Sequence, residues 1–249
     1  MHSTPNKGNS YESTKRGIHI TSMLTFSRRD TMRLQKLGGY ASIVSACIII
    51  VNIVILAMIF RSFTQLEIYD PVKMMDAYNT YTVAFRVYYV LGILTGVLIA
   101  FIAIVLQERM QTGAPQLMRL AVIGASGYFV FAIGAEISGI YRNVVLSQIN
   151  DPAAFRSFLV LHECFASISF NALGWAVLFI GWSALKTRAL PRILGYIMLV
   201  YGIADIVVTV SIIELAIPIG LLVGVIVFAW LGIVLLRQQQ PNLPAQETA

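Results

Sequence analysis

The chain has 249 residues, of which 57% are hydrophobic and only 12% charged, with a formal net charge of +6. A soluble domain carries about 25% charged residues, so composition excludes a soluble enzyme or binding module. The basic excess sits at the ends of apolar runs and in the N-terminal tail, without interleaved aromatic residues, which argues against a nucleic-acid partner.

Residues 1–32 read as a polar, disordered tail. They contain no apolar stretch of the kind a cleaved signal peptide needs, so the first span is expected to serve as its own insertion signal. Beyond the tail come long runs without Asp, Glu, Lys or Arg. There are 24 such residues between Lys36 and Arg61, 21 between Arg86 and Glu108, 22 between Glu163 and Lys186, and 22 between Glu214 and Arg237. A helix needs about 20 apolar residues to cross a hydrocarbon core of roughly 30 Å. Six transmembrane helices are expected, at about 38–60, 83–106, 119–141, 157–184, 193–213 and 217–236. The third and fifth are interrupted by Glu136 and Asp205. The fold class is therefore all-α, a six-helix membrane bundle over residues 33–237, with a C-terminal tail over 238–249.

Helix starts are marked by proline. Asp70-Pro71 and Asp151-Pro152 each combine a carboxylate that accepts orphan N–H groups with a residue that needs no N–H of its own. The fourth helix is accordingly expected to begin at Pro152, before its membrane portion. Pro191 and Pro218 would start the fifth and sixth. Between Arg61 and Tyr81, the stretch from Pro71 reads as an interfacial helix, with Tyr69, Tyr78 and Tyr81 as interface anchors.

With the N-terminus inside, 13 basic residues fall on the inner side and five on the outer: Arg61, Lys73, Arg86, Arg142 and Arg156. That asymmetry places both termini in the cytoplasm. Glu136, Arg142, His162, Glu163, Asp205, Glu214 and Arg86 then gather in the outer half. A charge at mid-helix costs roughly 2.5–3.5 kcal/mol on insertion scales, so such groups face the interior and find partners. Glu163, Ser167 and Asn171 repeat at four-residue spacing, one polar stripe down a helix. The expectation is an outward-opening polar cavity lined by Glu136, His162, Glu163 and Asp205, with Arg142 or Arg86 as countercharge. The bland alternative is that these groups pair, or stay neutral, and only hold the bundle together.

Small residues mark close helix approaches in lipid. Gly92, Gly96 and Ala100 form one stripe, Gly220 and Gly224 another, and Ala135 and Gly139 a third; each is an intramolecular seam or a dimer face. Cys47 and Cys164 fall at different depths and read as small packing residues rather than a disulfide.

Several chemistries fail on the residues present. Gly124-Ala125-Ser126-Gly127 matches the G-x-S-G of rhomboid proteases. Ser126 and His162, however, would differ in depth by roughly 10–15 Å, too far for a nucleophile and its base. Haem would need a second intramembrane histidine, and a retinal Schiff base a lysine within a span. His162-Glu163 lacks the second histidine of a zinc motif. No cofactor, metal or catalytic residue is expected.

The run Leu190-Pro191-Arg192-Ile193-Leu194-Gly195 follows a span ending Phe179-Ile180-Gly181-Trp182. Together with the entrance Arg33-Leu34-Gln35-Lys36-Leu37-Gly38-Gly39-Tyr40 and Leu161-His162 early in the fourth span, it resembles the bacterial family called domain of unknown function (DUF) 4386. The resemblance covers about residues 33–237. It implies a six-span bacterial inner-membrane protein and brings no catalytic roles.

Two functions compete. The first is a multi-pass protein whose polar cavity binds or passes a small ligand, ion or proton, with Asp205 and Glu136 protonatable and His162 and Glu163 as gate or ligand contacts. The second is an accessory or scaffold subunit of a larger membrane complex. An enzyme acting on a lipid or quinone, with His162 and Glu163 as acid and base, ranks third. The partners expected are the lipid bilayer and either another membrane protein or a second copy of the chain.

Overall fold

The computed structural model of the chain describes residues 28–61, 70–143, 151–211 and 216–237. The tail before Arg28, residues 238–249, Glu67, Tyr69 and Glu214 lie outside this set. Among the described residues there are seven α-helices and no strand: α1 (Arg28–Phe60), α2 (Pro71–Thr80), α3 (Thr82–Met110), α4 (Pro115–Tyr141), α5 (Pro152–Thr187), α6 (Arg192–Ser211) and α7 (Ala216–Arg237). The first helix begins at Arg28, inside the stretch expected to be tail.

The two Asp-Pro starts have the expected chemistry. Asp70 Oδ1 accepts from the Val72 and Lys73 amides at 2.9 and 3.4 Å. Asp151 Oδ1 accepts from Ala153 and Ala154 at 3.0 and 3.1 Å. Helix α5 consequently runs from Pro152 for 36 residues. Inside the helices, hydroxyls fold back on their own carbonyls, as Ser42 does on Gly38 and Ser45 on Ala41, both at 2.9 Å. This satisfies the side chain without water.

Five of the helices are long and apolar enough to cross a membrane: α1, α3, α4, α5 and α7. Their outward faces support that reading. On α3 the exposed residues Val83, Val87, Val90, Leu94 and Val97 follow a four-three spacing; α6, which is not one of the five, carries a similar stripe of Ile193, Tyr196, Val200, Ile203 and Val207. Helices with an apolar stripe on the outside as well as the inside fit a bilayer, not water.

The large helices pack in a closed sequence. α1 lies on α3, α3 on α4, α4 on α5 and α5 on α6, while α7 returns to α1 and touches α6 more thinly. Two cores result. One fills the end of the bundle where α1 starts and α7 ends, with Leu106, Met110, Met118, Leu194, Met198, Leu231 and Leu235 fully enclosed. We refer to it as the basal end. The other lies at the opposite end, where α2 docks Met74, Met75 and Tyr78 against Ile59, Phe85, Tyr89 and Phe155. Tyr78 is therefore a buried packing residue, not a surface anchor.

Glycine determines how closely the helices approach. A Cβ built on Gly202 would lie 2.6 Å from the Gly174 carbonyl oxygen, and one on Gly181 would lie 2.9 Å from that of Gly195. Both pairs join α5 to α6 at seven-residue spacing. Gly232 and Gly39 join α7 to α1 in the same way. Backbone-on-backbone contact of this kind replaces the hydrophobic driving force that lipid does not supply.

Candidate functional site

The interior changes character from one end to the other. On α6 the inward positions Leu194, Met198 and Tyr201 are buried at four-three spacing, and the next position on that face is Asp205. On α7 the inward face runs from Leu235, Leu231 and Phe228 to Gly224 and Gly220. A Cβ on Gly220 would sit 3.8 Å from Asp205 Oδ1, and one on Gly224 would sit 3.2 Å from the Tyr201 hydroxyl. The basal half is thus plugged by large apolar side chains. The opposite half offers a carboxylate and a phenol to two glycines. Of the two glycines expected to form a packing seam, Gly224 approaches the Tyr201 hydroxyl closely and Gly220 leaves room beside Asp205.

Glu136 projects from α4 toward α3. Its carboxylate packs directly on Gly92, whose missing Cβ is what leaves space for it. Gly96 continues the α3–α4 seam against Phe129 and Ala132, and Gly139 admits the Tyr89 ring. The Gly92-Gly96 and Ala135-Gly139 stripes are therefore one intramolecular interface. Glu136 Oε2 is buried and has no hydrogen-bond partner among the described residues. A buried ionised carboxylate without a partner costs several kcal/mol.

His162 is half-buried. Its Nδ1 lies 2.7 Å from the Ala135 carbonyl oxygen, and its ring meets Tyr89 edge-on with centroids 5.9 Å apart. With the carbonyl at that distance, Nδ1 carries the proton, so the histidine ties α5 to α4.

Arg142 follows α4 and is only 1% exposed. It donates to the hydroxyls of Tyr78 and of Tyr89, the latter at 3.1 Å. Its guanidinium lies over the Tyr78 ring at 4.7 Å and the Phe155 ring at 5.5 Å. Burial holds the Tyr78 phenol above its ordinary value, against the opposing pull of Arg142. The phenol stays neutral, and the arginine is held at contact range by dipoles and π-faces, with Glu163 as a more distant electrostatic partner. No ion pair to Arg142 occurs among the described residues. It clamps α2 on the bundle through the two phenols, and it also attracts Glu163 electrostatically, without contact.

Arg86 does not serve as countercharge. It is exposed on α3 beside Val83 and Val87. The proposed stripe on α5 also divides: Glu163 and Ser167 are exposed and Asn171 is half-buried. Glu163 lies eleven residues, about three turns, from Gly174 on the same face. That face carries α6 lower down, so Glu163 stands near the end of the described part of α6.

These groups form two levels rather than one cluster. Glu136 and His162 share a level through the Ala135 contact. Gly174 meets Gly202, and Asp205 is one turn further along α6. Tyr128 on α4 interacts electrostatically with both Glu136 and Asp205. Eight residues of α4 separate Tyr128 from Glu136, or about 12 Å. Among the described residues no group of three His, Cys, Asp or Glu side chains could hold a metal ion. Sequence reasoning missed Tyr128, Tyr201 and Tyr88, each of which interacts electrostatically with Glu136 or Asp205; their place among long apolar runs was the available signal.

Two surface grooves lie elsewhere. One is lined by Pro152, Ala153, Arg156, Ser157 and Val160, the other by Leu178, Trp182, Leu185, Lys186, Leu199 and Ile203. Gly124 of the rhomboid-like run packs on Ala172 and Ala176, and Ser126 is exposed, so this run is a helix seam. Cys47 and Cys164 are free, and both are exposed rather than packed inside the bundle. No family model, curated protein or solved structure matches the chain.

Proposed function

We propose that this is a six-span membrane protein, with α6 as the sixth span and both termini cytoplasmic, that takes up a small cation or proton from the α2 side. Asp205 is the deeper protonatable group, Glu136 the shallower one, and Glu163 the carboxylate at the mouth. The reading is supported above all by Glu136, a carboxylate inside a membrane helix whose Oε2 has no partner among the described residues. A structural carboxylate would be expected to have a cation or a set of donors beside it. The apolar plug of Leu194, Met198 and Leu231 closes the basal side, which fits a state open toward α2.

Reconstitution into vesicles with an internal pH-sensitive dye tests this. Glu136→Gln and Asp205→Asn should each abolish ligand- or ion-driven proton movement while the protein stays folded. Unchanged proton movement in the double variant overturns the reading.

The resemblance to the DUF 4386 family and a bacterial inner membrane belong to the same proposal. Its motif has a packing role here that accords with it: Leu190 and Leu194 are buried and Gly195 meets Gly181. The accessory-subunit reading is the alternative, and Glu163 and Ser167, exposed on α5, are the observation that favours it. A stable partner retained through purification in mild detergent would support it.

A further inference from the structure

The groove between α5 and α6 at the basal end has the form of a lipid site. It has a volume of about 540 Å³ and is walled by Leu178, Trp182 and Leu185 from α5 and by Leu199 and Ile203 from α6, with Lys186 at its end. Its origin is the glycine seam. Gly181 and Gly195 bring the two backbones together, so the bulky residues flanking them stand up as two walls over a shallow floor. Trp182 and Ile203 are each 53% exposed.

The charge pattern says what fits. On α5, Leu178, Trp182 and Lys186 follow one another at four-residue spacing. On α6, Arg192, Tyr196, Leu199 and Ile203 follow at four-three-four. Each wall therefore runs from apolar residues to an exposed cation at the same end. Arg188, left-handed at φ 55, turns the chain between them. No Asp or Glu occurs anywhere between Glu163 and Asp205. From Leu178 to Lys186 the helix rises about 12 Å, most of the ~15 Å that half of a hydrocarbon core provides.

The geometry points to a resident anionic phospholipid, its acyl chain lying in the groove and its phosphate between Lys186 and Arg192. A zwitterionic lipid would fill the groove equally well but would gain less from two cations on a stretch of chain that carries no acid. This site stands apart from the carboxylates of the uptake reading and from any proton movement they support.

Native mass spectrometry of the detergent-solubilised protein titrated with phosphatidylglycerol or phosphatidylcholine tests it. The wild type should retain phosphatidylglycerol preferentially. Each surface cation contributes about fivefold, so the Lys186→Gln, Arg192→Gln double variant should bind it roughly 30-fold more weakly and keep its affinity for phosphatidylcholine. Ile203→Trp, at an exposed position, should fill the groove and weaken both lipids with the cations in place. Glycerol phosphate without acyl chains should not compete. Equal retention of the two lipids by the wild type, unchanged phosphatidylglycerol binding in the double variant, or full competition by glycerol phosphate would each overturn the assignment.

Discussion

Arg142 donates to the hydroxyl of Tyr89 at 3.1 Å, and the same guanidinium nitrogen also donates to Tyr78. One buried cation thereby joins the end of α4 to α3 and to the short helix α2. Loss of a hydrogen bond to a charged group costs about 1.5–3 kcal/mol. Tyr78→Phe should accordingly lower the thermal midpoint in mild detergent and loosen α2, read as faster proteolysis around residues 70–81. Tyr196→Phe, exposed on α6, should leave the midpoint unchanged.

Gly92 and Glu136 make a second testable pair. Their contact leaves no room for a methyl group, so Gly92→Ala must displace the carboxylate or separate α3 from α4. Overpacking of this kind costs about 1–3 kcal/mol. The double variant Gly92→Ala, Glu136→Ala should recover most of the loss, because it removes the atoms in the way. Failure of the second change to rescue the first would mean that Gly92 matters for another reason.

The glycines should not be equivalent. At Gly202 a Cβ would lie 2.6 Å from a carbonyl oxygen, and at Gly220 its nearest neighbour would be 3.8 Å away. Gly202→Ala should therefore destabilise the α5–α6 pair by about 1–3 kcal/mol, whereas Gly220→Ala should stay within about 0.5 kcal/mol of wild type. Equal effects, measured by thermal or denaturant unfolding in detergent, would contradict the packing described here.

Glu136→Gln should raise stability while it removes function. The amide can donate as well as accept, and it relieves the desolvation of a carboxylate whose Oε2 has no partner among the described residues. The expected gain is about 1–3 kcal/mol, seen as a higher thermal midpoint. A lower midpoint would indicate that the charge itself is structurally required.

A topology experiment bears on the spans directly. Tags at the two ends should report the same side of the membrane, and a single cysteine at Thr80 should label from the opposite side with an impermeant reagent. Opposite-side termini would mean that α6 does not cross.

Much of the architecture was legible in the chain. The charge-free runs announced the long helices because a membrane solvent tolerates few charges over about 20 residues. Asp70-Pro71 and Asp151-Pro152 announced helix starts because capping is a local matter of one side chain and two amides. The ionisable residues were equally visible, since each stands out in an apolar run. What the chain could not reveal is which of them meet. Arg142 was expected as countercharge to the carboxylates; it does act on Glu163 electrostatically, but its hydrogen bonds go to two phenols, one of them 64 residues away. Gly220 leaves space at Asp205 and Gly224 closes on the Tyr201 hydroxyl, while the backbone-on-backbone approaches involve Gly39, Gly174, Gly181, Gly195, Gly202 and Gly232. Composition and periodicity report the solvent that each residue needs, and that much the sequence by itself determined. Partner choice depends on how one helix rotates and slides against another, and only the packed bundle decides it.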